Sequence, residues 1–354
     1  MTSARTVSVG GVDLGGGAPV RVQSMLNTGP HEVAAAQAQI AELADAGCEL
    51  VRIAVPQADS LPFLREYVQT SPLPVIADIH FDHRLALGAI EAGVAKLRIN
   101  PGTMGDWAKV DAIIDAAGQA AIPLRIGVNA GSLAAEVAEY RDLSLAEKLV
   151  ESALSFQRHF EERGFYDIVL SVKASSVPVT IAAYRDLSHR SPYPLHIGVT
   201  EAGTAGTGSI KSAVGLGTLL ADGIGDTLRV SLTADPTAEV AVAWDILAAL
   251  DLRRRSPELI SCPTCGRCQV DLIPVAAEVE AGLDALAQQY PQAAGLKVAV
   301  MGCVVNGPGE AREADFGIAA GRGRGRIFAQ GQPLHTVPES ELVAALLDTI
   351  KKSF

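Results

Sequence analysis

The most constraining feature of the sequence is a regular alternation of short apolar runs with longer segments of helical period. Strands are predicted at 19–25, 49–55, 74–79, 96–99, 123–128, 167–172, 195–199 and 227–232. Helices are predicted at 32–46, 58–70, 84–92, 106–119, 143–162, 177–188, 209–221 and 237–252. Eight strands alternating with eight helices favour a (β/α)8 TIM barrel. The alternative is an open doubly wound sheet, which is less favoured because the first strand–helix turn has no GxGxxG pattern.

Two further segments flank this pattern. Residues 6–14 alternate around Gly10-Gly11 and predict an N-terminal hairpin. After residue 252 the run RRRSP interrupts the helical period, and 253–261 is expected to be a linker. The remainder predicts a small α+β domain, with a strand ending at Cys262, strands at 296–300, 315–319 and 325–329, and helices at 273–289 and 339–352. The expected domains are therefore the barrel, 1–252, and a smaller domain, 262–354.

Composition narrows the class of protein. The chain is 48% hydrophobic and 19% charged, as expected of a globular protein, and its net charge of −11 argues against a general nucleic-acid binder. The N-terminus lacks the apolar core of a signal peptide, and no apolar run approaches membrane-spanning length. A cytoplasmic location is expected. In that compartment, a CxxC cluster is more typical of a metal or redox site than of a structural disulfide.

In a TIM barrel, the chemistry lies at the C-terminal ends of the strands. Five of the predicted strands end near a cation, although the protein is acidic: Arg52, Arg98, Arg125, Lys173 and Arg229. Arginine suits bidentate binding of phosphate oxygens, so this set predicts a strongly anionic ligand, most simply a diphosphate. The alternative for any single arginine is an ion pair at the barrel rim.

Other polar residues lie at the same strand ends. Asp78 and Glu201 could pair with the arginines, or they could bind ligand hydroxyls or move a proton. His80 is either a functional group or a core histidine, and His196, earlier in its strand, is expected in the core. The Gly-rich stretch 202–208 could offer backbone N–H groups to a phosphate at a helix N-terminus, or it could be only a flexible loop. Candidate hydrogen-bonding residues are Asn129, Ser175 and Ser231.

Four of the five cysteines fall in two places in the smaller domain. One is Cys262-Pro-Thr-Cys265-Gly-Arg-Cys268, and the other is Cys303 in the stretch MGCVVNGPGEA (301–311). This spacing is compatible with a structural zinc ribbon that uses all four thiolates. It is equally compatible with an iron–sulfur cluster. Cys48 stands alone and is expected to be a buried core thiol.

The ordered motifs resemble those of the 4-hydroxy-3-methylbut-2-enyl diphosphate synthases, the reductive enzymes of the non-mevalonate isoprenoid route. The matching stretches cover both domains: VQSMLNT (22–28), VRIAVP (51–56), ADIHFD (77–82), LRINPG (97–102), RIGVNAGS (125–132), SVKAS (171–175), TEAG (200–203), GIGDTLRVSL (223–232), CPTCGR (262–267) and MGCVVNGPGEA (301–311).

The resemblance implies an oxidoreductase with a [4Fe–4S] cluster. It would convert 2-C-methyl-D-erythritol 2,4-cyclodiphosphate into 4-hydroxy-3-methylbut-2-enyl diphosphate with two electrons from ferredoxin or flavodoxin. It also implies that Cys262, Cys265 and Cys303 are the thiolate ligands and that Glu310 is the fourth ligand. A carboxylate holds iron more weakly than a thiolate, so one iron would be exchangeable. Cys268 departs from the family pattern.

The expected substrate-binding residues are Arg52, Arg98, Arg125, Asn129, Lys173, Ser175, Arg229 and Ser231, and the expected catalytic residues are Glu201, Asp78, His80 and Glu310. The last barrel helix, about 16 residues or about 24 Å long, returns the chain to the face opposite the strand ends. A short linker could barely bring the cysteines back. This argument and the resemblance predict a head-to-tail homodimer with shared active sites.

Two alternatives belong to other classes. One is a zinc-stabilised barrel enzyme, such as a lyase or a pterin-type transferase acting on a phosphorylated substrate, and it predicts a colourless protein. The other is a non-catalytic iron–sulfur sensor, which would need a surface for DNA or a protein partner.

Overall fold

The structure is a computed structural model that describes residues 3–303 and 314–354. It divides into two compact units, Met1–Arg253 and Arg254–Phe354. Each unit is described by itself. No helix in the described ranges combines the length and apolar character needed to cross a bilayer.

The first unit begins with the predicted hairpin and continues as a closed parallel barrel. The hairpin consists of β1 (Thr6–Val9) and β2 (Val12–Gly15), which pair antiparallel. The barrel strands are β3 (Arg21–Met25), β4 (Leu50–Ala54), β5 (Val75–Asp78), β6 (Lys96–Ile99), β7 (Leu124–Asn129), β8 (Ile168–Lys173), β9 (His196–Ile197) and β10 (Thr227–Leu228). They pair in chain order, β10 pairs with β3, and a bridge between Leu170 and Leu195 joins β8 to β9. The predicted TIM barrel is confirmed.

Helices follow the strands around the barrel. They are α1 (Val33–Asp45), α2 (Leu61–Thr70), α3 (His83–Glu91), α4 (Pro101–Met104), α5 (Trp107–Ala120), α6 (Ala135–Ala138), α7 (Leu145–Glu162), α8 (Val177–Arg190), α9 (Ala205–Ala221) and α10 (Pro236–Ala249). The short helices α4 and α6 were not predicted. Helix α4 begins where the Asn100 side chain accepts a hydrogen bond from the Gly102 N–H, with Pro101 at the first helical position.

Each barrel strand has an apolar outer face and an inner face that carries the polar residues. In β6, Leu97 and Ile99 belong to the main apolar cluster beneath the helices, while Arg98 lies between them on the other face. In β7, Leu124 and Ile126 belong to the same cluster and flank Arg125. The two-residue period of a strand therefore points the predicted cations into the barrel.

The hairpin closes one end of the barrel. Val7, Val9 and Leu14 form an apolar cluster with Leu50, Ile76 and Val169, which lie near the starts of β4, β5 and β8. Parallel strands start at the same end of a barrel. The hairpin is therefore a plug at the N-terminal end, and the C-terminal strand ends form the mouth.

In its described residues, the second unit is a five-stranded mixed sheet with two helices on one face. The strands are β11 (Glu258–Ser261), β12 (Lys297–Met301), β13 (Phe316–Gly321), β14 (Arg324–Ala329) and β15 (Gln332–Pro338), in that spatial order. Strands β11–β13 are parallel and β13–β15 antiparallel. Helices α11 (Leu272–Gln289) and α12 (Leu342–Lys351) share one apolar cluster with Val298 and Val300 of β12. The predicted small α+β domain is confirmed.

The sheet has one predicted and one unpredicted edge strand. The strand predicted to end at Cys262 is β11, which pairs with β12 along its length and lies within the stretch 253–261 expected as a linker. Strand β15 was not predicted because its sequence, QPLHTVP, carries a proline near each end and little apolar character. Such a sequence is tolerated because β15 is an edge strand.

Candidate active site

The barrel mouth gathers the five predicted cations from β4, β6, β7, β8 and the residue after β10. Arg98, Arg125 and Lys173 are almost fully buried, and Arg52 and Arg229 retain a small exposed fraction. Two glycines provide the space for them. A Cβ at Gly127 would lie 2.6 Å from Arg98 Nε, and one at Gly198 would lie 2.6 Å from Lys173 Nζ. A Cβ at either position would force the neighbouring cation to shift, so these glycines provide room for Arg98 and Lys173 in the places described.

One carboxylate at the barrel mouth is Asp78, which lies close to Arg98 and Arg52. Arg98 Nη1 donates to Asp78 Oδ1 at 3.1 Å, and Arg52 Nε lies 3.8 Å from Asp78 Oδ2. His80, which is partly exposed, contacts Arg98 through Nε2. Burial alone would raise the pKa of Asp78, but Arg52, the His80 hydrogen bond and Arg98 together hold it well below its usual range. Asp78 is therefore ionised at neutral pH.

A second carboxylate, Glu239, was missed by the sequence analysis. It is 4% exposed in the first turn of α10, and it accepts two hydrogen bonds of 3.2 Å from Arg229 Nε and Nη2. It also accepts from the Leu232 N–H at 2.9 Å and from Ser24 Oγ at 3.2 Å. In sequence, an acidic residue in a first helical turn suggests only favourable interaction with the helix dipole, so no signal identified this role.

The five cations therefore fall into two groups. Arg98 and Arg229 hydrogen-bond to carboxylates, whereas Arg125 and Lys173 form no ion pair with any carboxylate in residues 3–303 and 314–354. Arg125 Nη1 donates to Ser171 Oγ at 3.0 Å. Burial, followed by the charge of Arg125, lowers the pKa of Lys173 well below its usual value. Arg52 is intermediate, because its closest acceptor is the thioether of Met25, 2.9 Å from Nη2.

The other predicted mouth residues are less closely engaged. Asn129 ends β7 and is half-buried, Ser231 is half-buried, and Ser175 and Glu201 are exposed. Glu201 has a left-handed backbone, with φ of 51°. Within the described part of the chain, none of these four side chains hydrogen-bonds to a mouth cation.

The Gly-rich stretch 202–208 does not form the expected loop before a helix that starts at 209. Helix α9 begins at Ala205, so half of the stretch is helical. A Cβ at Gly208 would lie 2.6 Å from Leu232 Cδ2 and 2.9 Å from the carbonyl oxygen of Gly203. This glycine therefore permits close packing of the helix.

In the second unit, two neighbouring parallel strands lead into the cysteine-bearing loops. Strand β11 ends beside β12 with Ser261 opposite Val300, so Cys262 and Gly302–Cys303 follow neighbouring strand ends. The Gly302 N–H donates to Cys262 Sγ at 3.4 Å, and the Gln269 N–H donates to the Gly302 carbonyl at 3.0 Å. Hydrogen bonds from backbone N–H groups to sulfur are typical of thiolate-held clusters.

Cys268 is used differently. Its Sγ donates to the carbonyl of Val270 at 3.3 Å, and its side chain packs against the helix-covered apolar cluster. A Cβ at Gly302 would lie 2.3 Å from this sulfur, so residue 302 accommodates it only as glycine. Cys268 is therefore engaged with the domain core.

The described residues provide an incomplete metal site. In the ranges 3–303 and 314–354, no three or more His, Cys, Asp or Glu side chains form a group that could hold a metal ion. Glu310, the fourth predicted ligand, lies outside the described residues. None of the five cysteines is in a disulfide, and Cys48 is buried in the barrel, where burial raises the pKa of its thiol to about 12. The thiol donors and the Gly302–Cys262 hydrogen bond fit an iron–sulfur cluster.

Comparison with known proteins places both units in one family. Residues 4–244 match the GcpE TIM-barrel domain, and residues 258–352 match the GcpE protein C-terminal domain. The 4-hydroxy-3-methylbut-2-en-1-yl diphosphate synthase (flavodoxin) of Geobacter sulfurreducens is 55% identical over 98% of this chain and 97% of its own. The protein of the same name from Lawsonia intracellularis is 51% identical over 98% of this chain and 96% of its own.

A solved structure resembles the barrel alone. Dihydropteroate synthase of Yersinia pestis aligns with a TM-score of 0.52 at 16% identity, covering 70% of this chain and 100% of its own. At that identity the likeness shows the fold and nothing about the reaction. The two family matches together span most of the sequence, and the resemblance found from the motifs is thereby confirmed. The chain belongs to the GcpE family.

Proposed function

We propose that this protein catalyses the reductive ring opening and dehydroxylation of 2-C-methyl-D-erythritol 2,4-cyclodiphosphate to 4-hydroxy-3-methylbut-2-enyl diphosphate. The observation that carries the proposal is the set of five cations at the barrel mouth of an acidic protein, two of which have no carboxylate partner among the described residues. Buried cations of this kind favour a multiply charged anion, because isolated buried charge is unfavourable.

The two groups of cations have different roles in this proposal. Arg125 and Lys173 supply charge that is not already neutralised, so they are the principal contacts of the diphosphate. Arg98 and Arg229 are oriented by Asp78 and Glu239 and present their remaining N–H groups in fixed directions. Arg52 keeps donor capacity because a thioether is a weak acceptor. Charge developing on the leaving diphosphate oxygen is stabilised by this set without reorganisation.

Neutral and acidic groups complete the barrel side of the site. Asn129, Ser175 and Ser231 would hydrogen-bond to phosphate or hydroxyl oxygens. Glu201 would donate a proton to the departing hydroxyl or anchor it. Asp78 is ionised at neutral pH, so it orients Arg98 and His80 rather than donating a proton.

The cysteine loops would hold the redox group. Cys262, Cys265, Cys303 and Glu310 are the proposed ligands of a [4Fe–4S] cluster, which would supply the two electrons of the reaction one at a time. The names of the relatives specify flavodoxin, and we propose flavodoxin as the electron donor here, with ferredoxin as the alternative. The proposed location is the cytoplasm, where reduced donors of this type are available.

The experiment that tests the barrel assignment compares two lysine variants. Lys173→Met removes a buried mouth cation, and Lys211→Met removes an exposed lysine on α9. Loss of one charge-assisted contact, about 1.5–3 kcal/mol, should weaken substrate binding about 10- to 100-fold in Lys173→Met and leave Lys211→Met unchanged. Binding is measured anaerobically by calorimetry. Equal affinities in the two variants would remove the basis for the diphosphate assignment.

The zinc-stabilised enzyme is the second candidate, because the four thiol groups also suit zinc. A zinc ribbon would need Cys268 as its fourth ligand, whereas this thiol donates to Val270. Protein purified without oxygen is analysed for iron, sulfide and zinc. Brown protein with about four irons per chain supports the cluster. Colourless protein with stoichiometric zinc and no sulfide would instead support the zinc-stabilised enzyme and exclude the cluster.

A head-to-tail homodimer is part of the proposal. Each active site would combine the barrel of one subunit with the cysteine unit of the other. Mixing Cys303→Ala protein with Arg125→Met protein should then restore turnover, because one site of the mixed dimer has both intact parts. Failure to restore turnover despite confirmed subunit exchange would exclude the shared site.

A further inference from the structure

A layer of polar side chains lies inside the barrel, away from the solvent-exposed rim of the mouth. It consists of Gln23, Lys96, Arg125, His196 and Thr227, and we call it the inner polar layer. Each of these residues is at most 2% exposed. Apart from Arg125, none of them has been given a part in the proposed reaction.

The strand pattern shows that these residues point into the barrel. Their immediate neighbours in sequence, such as Val22, Leu97 and Leu228, belong to the apolar cluster outside the barrel wall. The inner-layer residues therefore point inward. His196 and Thr227 are also directly opposite each other on β9 and β10.

Most polar atoms of the layer have no hydrogen-bond partner within residues 3–303 and 314–354. They are both side-chain polar atoms of Gln23, Lys96 Nζ, Arg125 Nε and Nη2, both ring nitrogens of His196 and Thr227 Oγ1. A buried polar group without a partner destabilises a fold, and an unpaired buried charge does so more strongly. Eight such atoms in one layer therefore call for a shared partner.

The charge of the layer indicates the chemistry of that partner. Lys96 and Arg125 are cationic groups, and no member of the layer is a carboxylate. Burial, followed by the charges of Arg125 and Arg52, lowers the pKa of Lys96 well below its usual value. An anion bound among these groups would raise the pKa of Lys96 again, because a nearby negative charge favours the charged form of lysine. The described hairpin side chains that pack against the starts of the barrel strands are apolar.

We propose that the inner polar layer is a binding site for a small monovalent inorganic anion of chloride size. Lys96 Nζ, Arg125 Nη2 and a ring N–H of His196 are its donors. A halide needs only N–H and O–H donors, and the layer is rich in them. The site shares Arg125 with the proposed diphosphate site and differs from it in Lys96 and His196, and it is tested without substrate, independently of the reaction assigned to the protein.

The site is tested directly with bromide, which binds as chloride does and scatters X-rays anomalously. Crystals of the full-length protein, with no substrate added, are soaked in sodium bromide. An anomalous peak within hydrogen-bonding distance of Lys96 Nζ and Arg125 is expected. Peaks confined to the protein surface, or a layer filled only by water, would overturn the proposal.

A measurement in solution distinguishes anion binding at Lys96 from general effects of salt on stability. Thermal unfolding is followed at constant ionic strength while gluconate is replaced by chloride. Wild type should gain about 2–4 °C in a saturable manner, because the anion binds only the folded state. Lys109→Met, which removes an exposed lysine on α5, should give the same gain.

Lys96→Met should show no chloride-dependent gain. In gluconate it should be at least as stable as wild type, because an apolar side chain of similar length replaces an unpaired buried cation. A chloride response in Lys96→Met equal to that of wild type would contradict the proposal. The bromide experiment decides the matter if this variant fails to fold.

Discussion

The ion pair between Glu239 and Arg229 gives the sharpest prediction for the stability of the barrel. Glu239→Gln keeps the shape of the side chain and removes its charge. One oxygen remains to accept from Leu232, but the new amide group faces Arg229, which can only donate, and Ser24, whose hydroxyl can rotate to accept. The variant therefore loses the charge of a nearly buried pair and places an amide donor against the Arg229 donor.

The expected loss of stability follows from how deeply the ion pair is buried. Breaking a buried ion pair typically destabilises a protein by about 3–5 kcal/mol. Here the Arg229 side chain remains 18% exposed, so water partly solvates the released charge. The free energy of unfolding of the barrel should therefore fall by about 2–3 kcal/mol.

Urea unfolding followed by tryptophan fluorescence measures this change in the barrel alone. The protein has two tryptophans, Trp107 and Trp244, and both lie in the first unit. Glu42→Gln, at an exposed position on α1, is the matched control and should stay within about 0.5 kcal/mol of wild type. If the two variants unfold at the same urea concentration, Glu239 does not hold Arg229 in place.

Two further predictions concern the mouth. Gly198→Ala would place a Cβ 2.6 Å from Lys173 Nζ and 2.8 Å from a backbone oxygen, so substrate binding measured by calorimetry should weaken at least about 10-fold. Position 206 has open space around it, so the Gly206→Ala variant should bind substrate normally. Equal binding in both variants would refute the steric argument. The pKa of Asp78 is lowered by folding, so its stabilising effect is complete above about pH 4 and is lost as the pH falls further. Asp78→Asn should therefore flatten the fall in unfolding free energy below pH 4, and parallel profiles would contradict this.

The barrel and the identity of its mouth cations were predictable because both depend on short-range pattern. Alternation places Arg98 and Arg125 on the inner face, and closure of eight strands brings them together. Glu239 was not predictable, since it reaches the mouth from a helix that follows the last strand. The start of α9 at Ala205 was also missed, because glycines in sequence suggest a loop while Gly208 serves close packing.

Which of the mouth cations are already paired with a carboxylate could be learned only from the structure. In sequence, the five mouth cations are equivalent, each following an apolar run. The structure separates Arg229, already paired, from Lys173, which forms no ion pair in the described residues. The cysteine spacing likewise left Cys268 as an equal candidate ligand, whereas its hydrogen bond to Val270 gives it a packing role.

The hairpin plug has a consequence for how the chain is made. Val7, Val9 and Leu14 complete their packing only when Val169 is present, and residue 169 follows residue 14 by 169 − 14 = 155 positions. At about 5–20 residues per second, a ribosome needs about 8–30 s to add them. The hairpin therefore leaves the ribosome well before its packing partner Val169 is made, and in that interval its apolar side chains are available to a chaperone.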